Sequence, residues 1–272
     1  VIGSDKRQIV VQNPEPGTWM IEIRGARGLT AVQGVSSPIQ VAAPGPVDGT
    51  VNQTRFILPV ISDIQGHPQQ AAIETALKSR LIDTNADGTF TPNSNVTRAD
   101  LARSLALNTS LRQTLGSTAK FTDVSGDLRL FAEYVTANGS TNRDFDFTPT
   151  GMLTSSGMLF KPDAAASRLD VAVAFVKAIG HDAEARALAN STVTFEGTAL
   201  TDNSQIPGSL RGYVQLAIDK GLFTPFPAEV RQIAPGQFIV VPGPRFEPGS
   251  TMTRATLAET LIAYRQVFNI GG

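Results

Sequence analysis

Three arginines recur at one spacing, and they are the chain's most distinctive chemistry. Phe90-Thr91-Pro92 precedes Thr97-Arg98, Phe160-Lys161-Pro162 precedes Ser167-Arg168, and Phe246-Glu247-Pro248 precedes Thr253-Arg254. The Phe to Arg offset is constant, 98 − 90 = 168 − 160 = 254 − 246 = 8. A guanidinium is a planar fork of donors suited to a carboxylate or phosphate. In the first turn of a helix it also stands beside backbone N–H groups that have no intrahelical partner, surroundings that favour an anion. Two roles are open to Arg98, Arg168 and Arg254. They could bind an anionic ligand, with Thr97, Ser167 and Thr253 beside them, or they could satisfy loop carbonyls and neighbouring Asp side chains and so hold the units together.

Other chemistry is thinly represented. Zero Cys excludes disulfides, thiolate nucleophiles and Cys-ligated metals, and only His67 and His181 remain for imidazole chemistry. Neither has an Asp and Ser arrangement around it, and no metalloprotease, P-loop or dinucleotide-binding motif occurs. Asp83-x-Asn85-x-Asp87-Gly88 opens like a calcium loop, but Ser94 stands where the closing bidentate Glu belongs, so a Gly-assisted turn is the better expectation. No catalytic residue, metal site or cofactor is expected in this chain. Among the aromatics, Phe121, Phe131 and Tyr134 suit a core, while Phe145 and Phe147 in Asp144-Phe145-Asp146-Phe147 could stack on a sugar.

The elements that position these residues follow from local pattern. Thr97, Ser167 and Thr253 sit where a helix N-cap belongs, and Asp100 and Asp170 three positions on complete a carboxylate capping box. Apolar residues then recur at helical spacing, as in Leu101, Ala102 and Leu105, or Ala172, Phe175, Val176 and Ile179, so a helix should begin at each Arg. A second helical pattern precedes each Phe, at 69–82, 130–135 and 210–223, and an Asp closes a short apolar string before it: Asp63, Asp123 and Asp202. The unit is Asp, helix, loop, Phe-x-Pro, capped helix. Its Asp to Phe separation grows as 90 − 63 = 27, 160 − 123 = 37 and 246 − 202 = 44, so the loops at 138–159 and 224–245 carry insertions. Loops of that length are functional or mobile.

The first 46 residues differ. Strands are expected at 7–11, 19–24 and 37–41 around the turn Asn13-Pro14-Glu15-Pro16-Gly17, followed by a Pro/Gly linker. With 23 Lys plus Arg against 24 Asp plus Glu the formal charge is −1, which argues against a nucleic-acid partner. No stretch approaches the about 20 apolar residues of a membrane helix. The chain begins at Val1 rather than Met, so a fragment or processed chain with a targeting signal upstream is expected.

The unit resembles the S-layer homology repeat. Asp87-Gly88-Thr89-Phe90-Thr91-Pro92-Asn93-Ser94-Asn95-Val96-Thr97-Arg98-Ala99-Asp100 is similar to the family signature D-G-T-F-x-P-N-x-x-I-T-R-A-E, with Leu169 and Thr256 as departures in the later units. The resemblance implies a mainly α module (α+β overall), three helix-loop-helix units at 60–115, 120–186 and 195–268 in a pseudo-threefold bundle. A short antiparallel β segment at 1–46 and a linker at 47–59 precede it. It also implies binding of a cell-wall polysaccharide, often pyruvylated, at the bacterial cell surface, with Arg98, Arg168 and Arg254 as glycan-binding residues. Asn13 to Trp19 with Ile21 to Gly25 looks like the closing strands that follow the catalytic domain of secreted subtilisin-like peptidases. That likeness implies a parent peptidase in cis, with this fragment not itself an enzyme. The competing expectation is a non-binding structural or maturation appendage of that parent.

Overall fold

Helices begin where their caps lie in the sequence. In the computed structural model, α2 (Arg98–Asn108) and α4 (Arg168–Ala178) start at their arginines, each with both halves of a capping box. The Thr97 Oγ1 accepts from the Asp100 backbone N–H at 3.1 Å, and the Asp100 carboxylate accepts from the Thr97 N–H at 3.0 Å. The long last helix, α7 (Arg254–Ile270), has only the hydroxyl half, with the Thr256 N–H donating to the Thr253 Oγ1 at 3.2 Å.

The described residues are 46, 48–52, 57–109, 111, 118–141, 143–144, 148 and 150–270, with side chains to 267. The expected strands at 7–11, 19–24 and 37–41, and Phe145 and Phe147, lie outside them. The chain divides into two compact units, Val1–Ile57 and Leu58–Gly272, and every element named below belongs to the second. Among the described residues that unit is mixed α+β and mainly helical, with seven helices and two small antiparallel sheets.

The helices ahead of each Phe are α1 (Gln70–Lys78), α3 (Gly126–Val135) and α6 (Arg211–Asp219). Two stop earlier than the apolar periodicity suggests. The backbone turns left-handed at Arg80 (φ 58°), and Leu81 N–H bonds back to the Ala76 carbonyl at 2.9 Å. Gly221 (φ 70°) does the same for α6, with Leu222 N–H on the Ala217 carbonyl at 2.9 Å. These are Schellman closures. Leu81, Ile82, Leu222 and Phe223 therefore leave the helix yet stay buried, which is why periodicity alone overextends it.

Three elements go beyond the sequence expectation. A short helix α5 (Asp182–Ala187) follows α4, and a small β1 (Thr194–Phe195) to β2 (Thr198–Ala199) ladder follows it. The 224–245 insertion, expected as loop, folds as a hairpin of β3 (Glu229–Ala234) and β4 (Gln237–Val241), in register Val230 to Val240 and Gln232 to Phe238. The α5 backbone approaches α6 so closely that a Cβ on Gly212 would lie 1.9 Å from the Ala185 carbonyl oxygen.

The main helix pairs join different sequence repeats: α2 on α3, α4 on α6, and α7 on α1. The core between them is apolar and continuous. Phe90, Phe160, Phe246, Val96 and Ala166 are all inaccessible to solvent, and Phe175 stacks on Tyr264 at 4.8 Å between ring centres. Full burial of such side chains stabilises by about 1.5–3 kcal/mol each. No described helix is long and apolar enough to cross a membrane.

Candidate functional site

Each unit makes one strained turn and holds it with one carboxylate. Thr91, Lys161 and Glu247, the middle residues of the three Phe-x-Pro strings, have φ of 52°, 59° and 56°, the left-handed region that side-chain-bearing residues seldom occupy. The Asp63 carboxylate accepts the backbone N–H groups of Phe90 and Thr91 at 3.0 and 2.6 Å. Asp123 accepts those of Phe160 and Lys161 at 2.9 and 2.7 Å, and Asp202 those of Phe246 and Glu247 at 3.0 and 2.6 Å. A carboxylate bonded to two successive N–H groups repays the turn with charge-assisted hydrogen bonds. For Asp123 the Phe160 N–H in particular holds the carboxyl below its ordinary range.

The turn leaves the Phe carbonyl facing the arginine of the preceding unit. Arg98 Nε donates to the Phe160 carbonyl at 2.9 Å, Arg168 Nε to that of Phe246 at 2.9 Å, and Arg254 Nε to that of Phe90 at 2.8 Å. Each guanidinium makes a second bond to the same segment, Arg98 to Thr154 O (2.6 Å), Arg168 to Thr224 O (2.9 Å) and Arg254 to Asp83 O (2.9 Å). The arginine backbones repeat the handover, with Arg98 N–H on Ala164 O, Arg168 N–H on Ser250 O and Arg254 N–H on Ser94 O at 2.8–2.9 Å. The first segment thus grips the second, the second the third, and the third returns to the first. Of the two roles open from sequence, satisfying loop carbonyls is the one all three side chains perform. Thr97, Ser167 and Thr253 cap the helices that present them.

The three junctions differ in cover. Arg168 is 5% exposed and lies over three rings, Phe223, Phe226 and Phe246, at 4.5–5.1 Å. Burial pushes its pKa down to about 10, leaving it charged at neutral pH. Arg98 has one ring, Phe160 at 4.8 Å, and is half-buried. Arg254 has Phe90 at 5.0 Å and pairs with Asp100 at 3.1 Å.

At the Arg254 junction a cavity of about 400 Å³ opens to solvent between the first and third segments. Its wall includes Arg80, Asp83, Asp100, Arg103 and Leu107, with Arg254 closing one side. Arg80 pairs with Asp83 at 3.2 Å, and Arg103 lies over the Phe131 ring at 5.5 Å. Both cations are exposed, as is Leu107. Two cations, two carboxylates and an apolar edge can bind a hydroxyl-rich ligand that also carries acid groups. Of the three arginines and three hydroxyl residues set out as binding candidates, only Arg254 lines this cavity, beside Asp83 and Asn85 of the calcium-like string and Asp100 of the first capping box. Arg80 and Arg103 escape notice because they recur in no other unit.

The remaining candidates are occupied by local structure. Asn85 donates to the Thr89 and Thr91 hydroxyls, and Asp87 accepts from Thr89, so the calcium-like string is a self-satisfied turn. His67 bonds Asn93 and His181 bonds Glu184. No group of three metal-binding side chains occurs among the described residues.

Residues 60–102 match the family model of the S-layer homology domain, spanning α1, the first Phe-x-Pro turn and the first half of α2. No curated protein matches the chain. S-layer homology domains anchor proteins to the cell envelope, typically through cell-wall polymers, so the matched domain carries cell-surface or envelope association.

Proposed function

We propose that the chain anchors an exported protein to the bacterial envelope by binding a cell-wall polysaccharide in the cavity between its first and third segments. One observation carries this: the family match at residues 60–102 coincides with the stretch that supplies Arg80, Asp83 and Asp100 to the open cavity. The cavity's chemistry supports a sugar polymer with an acidic substituent such as a pyruvate ketal. Guanidinium forks pair with the acid, carboxylates accept sugar hydroxyls, and Leu107 meets an apolar sugar face.

The reading extends to three copies of the unit, at 60–115, 120–186 and 195–268, around a pseudo-threefold axis. It is supported by the recurrence of the Asp-held turn and by the cyclic order of both the arginine bonds and the helix packing. In that arrangement Arg254 contacts the glycan, while Arg98, Arg168, Thr97, Ser167 and Thr253 frame the units that shape the groove. The parent is a subtilisin-like peptidase whose catalytic residues lie in another part of the protein.

Sedimentation with envelope sacculi, before and after removal of the secondary polysaccharide, tests the anchor. Binding should require the polysaccharide and fall at least tenfold in Arg103→Gln, with the thermal midpoint unchanged. Equal sedimentation with and without the polysaccharide would leave the chain a structural appendage of its parent. An Asp, His, Ser triad in the upstream reading frame checks the peptidase assignment.

A further inference from the structure

The β3–β4 hairpin has a composition that its own unit does not explain. Val230, Ile233, Phe238, Ile239 and Val240 are 68, 56, 62, 43 and 75% exposed. From Gln232 to Pro244 the sequence holds no charged residue, and the ribbon's charges are confined to its base. There Arg231 and Arg245 share Glu229 at 2.5 and 2.6 Å, and Arg245 also pairs with Glu247 at 2.7 Å. A two-stranded ribbon further leaves outward-facing N–H and C=O groups along both edges. The β3 edge carries Glu229 and Arg231, the kind of charge that discourages pairing, whereas β4, Gln237-Phe238-Ile239-Val240-Val241, carries none.

We propose that this hairpin is a self-association surface through which two copies of the chain pair edge to edge along β4. A lipid surface would cover the apolar side chains but leave the edge groups unbonded in hydrocarbon, and the base charges cancel in pairs, so no net charge draws the ribbon to an anionic leaflet. A strand satisfies both needs, and a second β4 is self-complementary under a twofold axis. Antiparallel pairing centred on Ile239 sets Ile239 opposite its own copy and Phe238 opposite Val240, aromatic against β-branched, which is a favoured cross-strand pair.

Sedimentation velocity of the full chain over a hundredfold concentration range tests this, with far-UV circular dichroism as the folding control. A monomer–dimer equilibrium is expected, weakened at least tenfold by Ile239→Lys and unchanged by Arg103→Gln, which separates it from glycan binding. Because the chain has no Cys, Ile239→Cys supplies a second readout: oxidation should give a disulfide-linked dimer, as directly opposed strand residues lie within disulfide reach, while Arg231→Cys should not. A wild-type chain that stays monomeric, a dimer that Ile239→Lys leaves intact, or flotation of the wild type with lipid vesicles lost in Ile239→Lys would each overturn the proposal.

Discussion

Arg168 and Arg254 make the same hydrogen bonds in different surroundings. Each donates its Nε to a Phe carbonyl of the following segment and a terminal nitrogen to a second carbonyl there. At Arg168 the third segment's insertion adds Phe226, tied by paired backbone bonds to Arg245 at 2.8 and 3.0 Å, and the guanidinium is enclosed. At Arg254 the first segment has no insertion, and the same construction, its arginine still only 7% exposed, forms the back wall of an open cavity. The motif fixes how segments join; what the loop brings decides whether the junction is a seal or a groove.

The contrast can be broken most severely at its enclosed end. Arg168→Met should cost about 4 kcal/mol, because the Phe246 and Thr224 carbonyls lose their donor in a dry site, whereas Arg98→Met should cost about 2 kcal/mol, since water can replace part of its bonding. Urea denaturation of both variants checks the order. Phe226→Ala should cost about 1–2 kcal/mol through lost ring packing on Arg168 and Arg245, without affecting sedimentation with sacculi.

Acid should loosen the turns through carboxylates whose folded pKa is depressed. Asp123 is lowered by the Phe160 N–H, and Glu247 by its bond from Arg245. A folded pKa below the unfolded value gives stability that is complete above the ordinary carboxylate range, about pH 4, and lost as pH falls from there through the lowered folded pKa. The urea midpoint should therefore hold from pH 7 to 5 and drop by pH 3, with Asp123→Asn flattening the drop. The smallest effect is a gain. Thr256→Asp restores the carboxylate half of the α7 capping box and should add about 0.5–1 kcal/mol, read as a higher thermal midpoint.

What the sequence discloses divides along range. The helix starts at Arg98, Arg168 and Arg254 are legible because a cap is settled within three residues. The arginine bonds are not, since their donors and acceptors stand 62, 78 and 164 residues apart, and nothing in a repeat says which copy it will touch. Asp63, Asp123 and Asp202 are visible as recurring residues, while their task depends on turn geometry that periodicity does not encode. Arg103 is hidden in another way: it lies off the Leu101, Ala102 and Leu105 face of α2, and only the tertiary approach of Phe131 gives it a place. The hairpin did leave a signal, β-branched and aromatic residues flanking Pro235-Gly236. Treating the whole insertion as loop passes over it.

The closed order of the junctions has a consequence for how the chain is made. The guanidinium that occupies the Phe90 carbonyl is synthesised 164 residues after it, and the helix that covers α1 is α7. Contacts of such sequence separation slow folding, because loop closure must precede the bonds that reward it. The first segment therefore waits half-built for α7, and a stop codon or protease cut ahead of that helix would undo the first segment as well as the third.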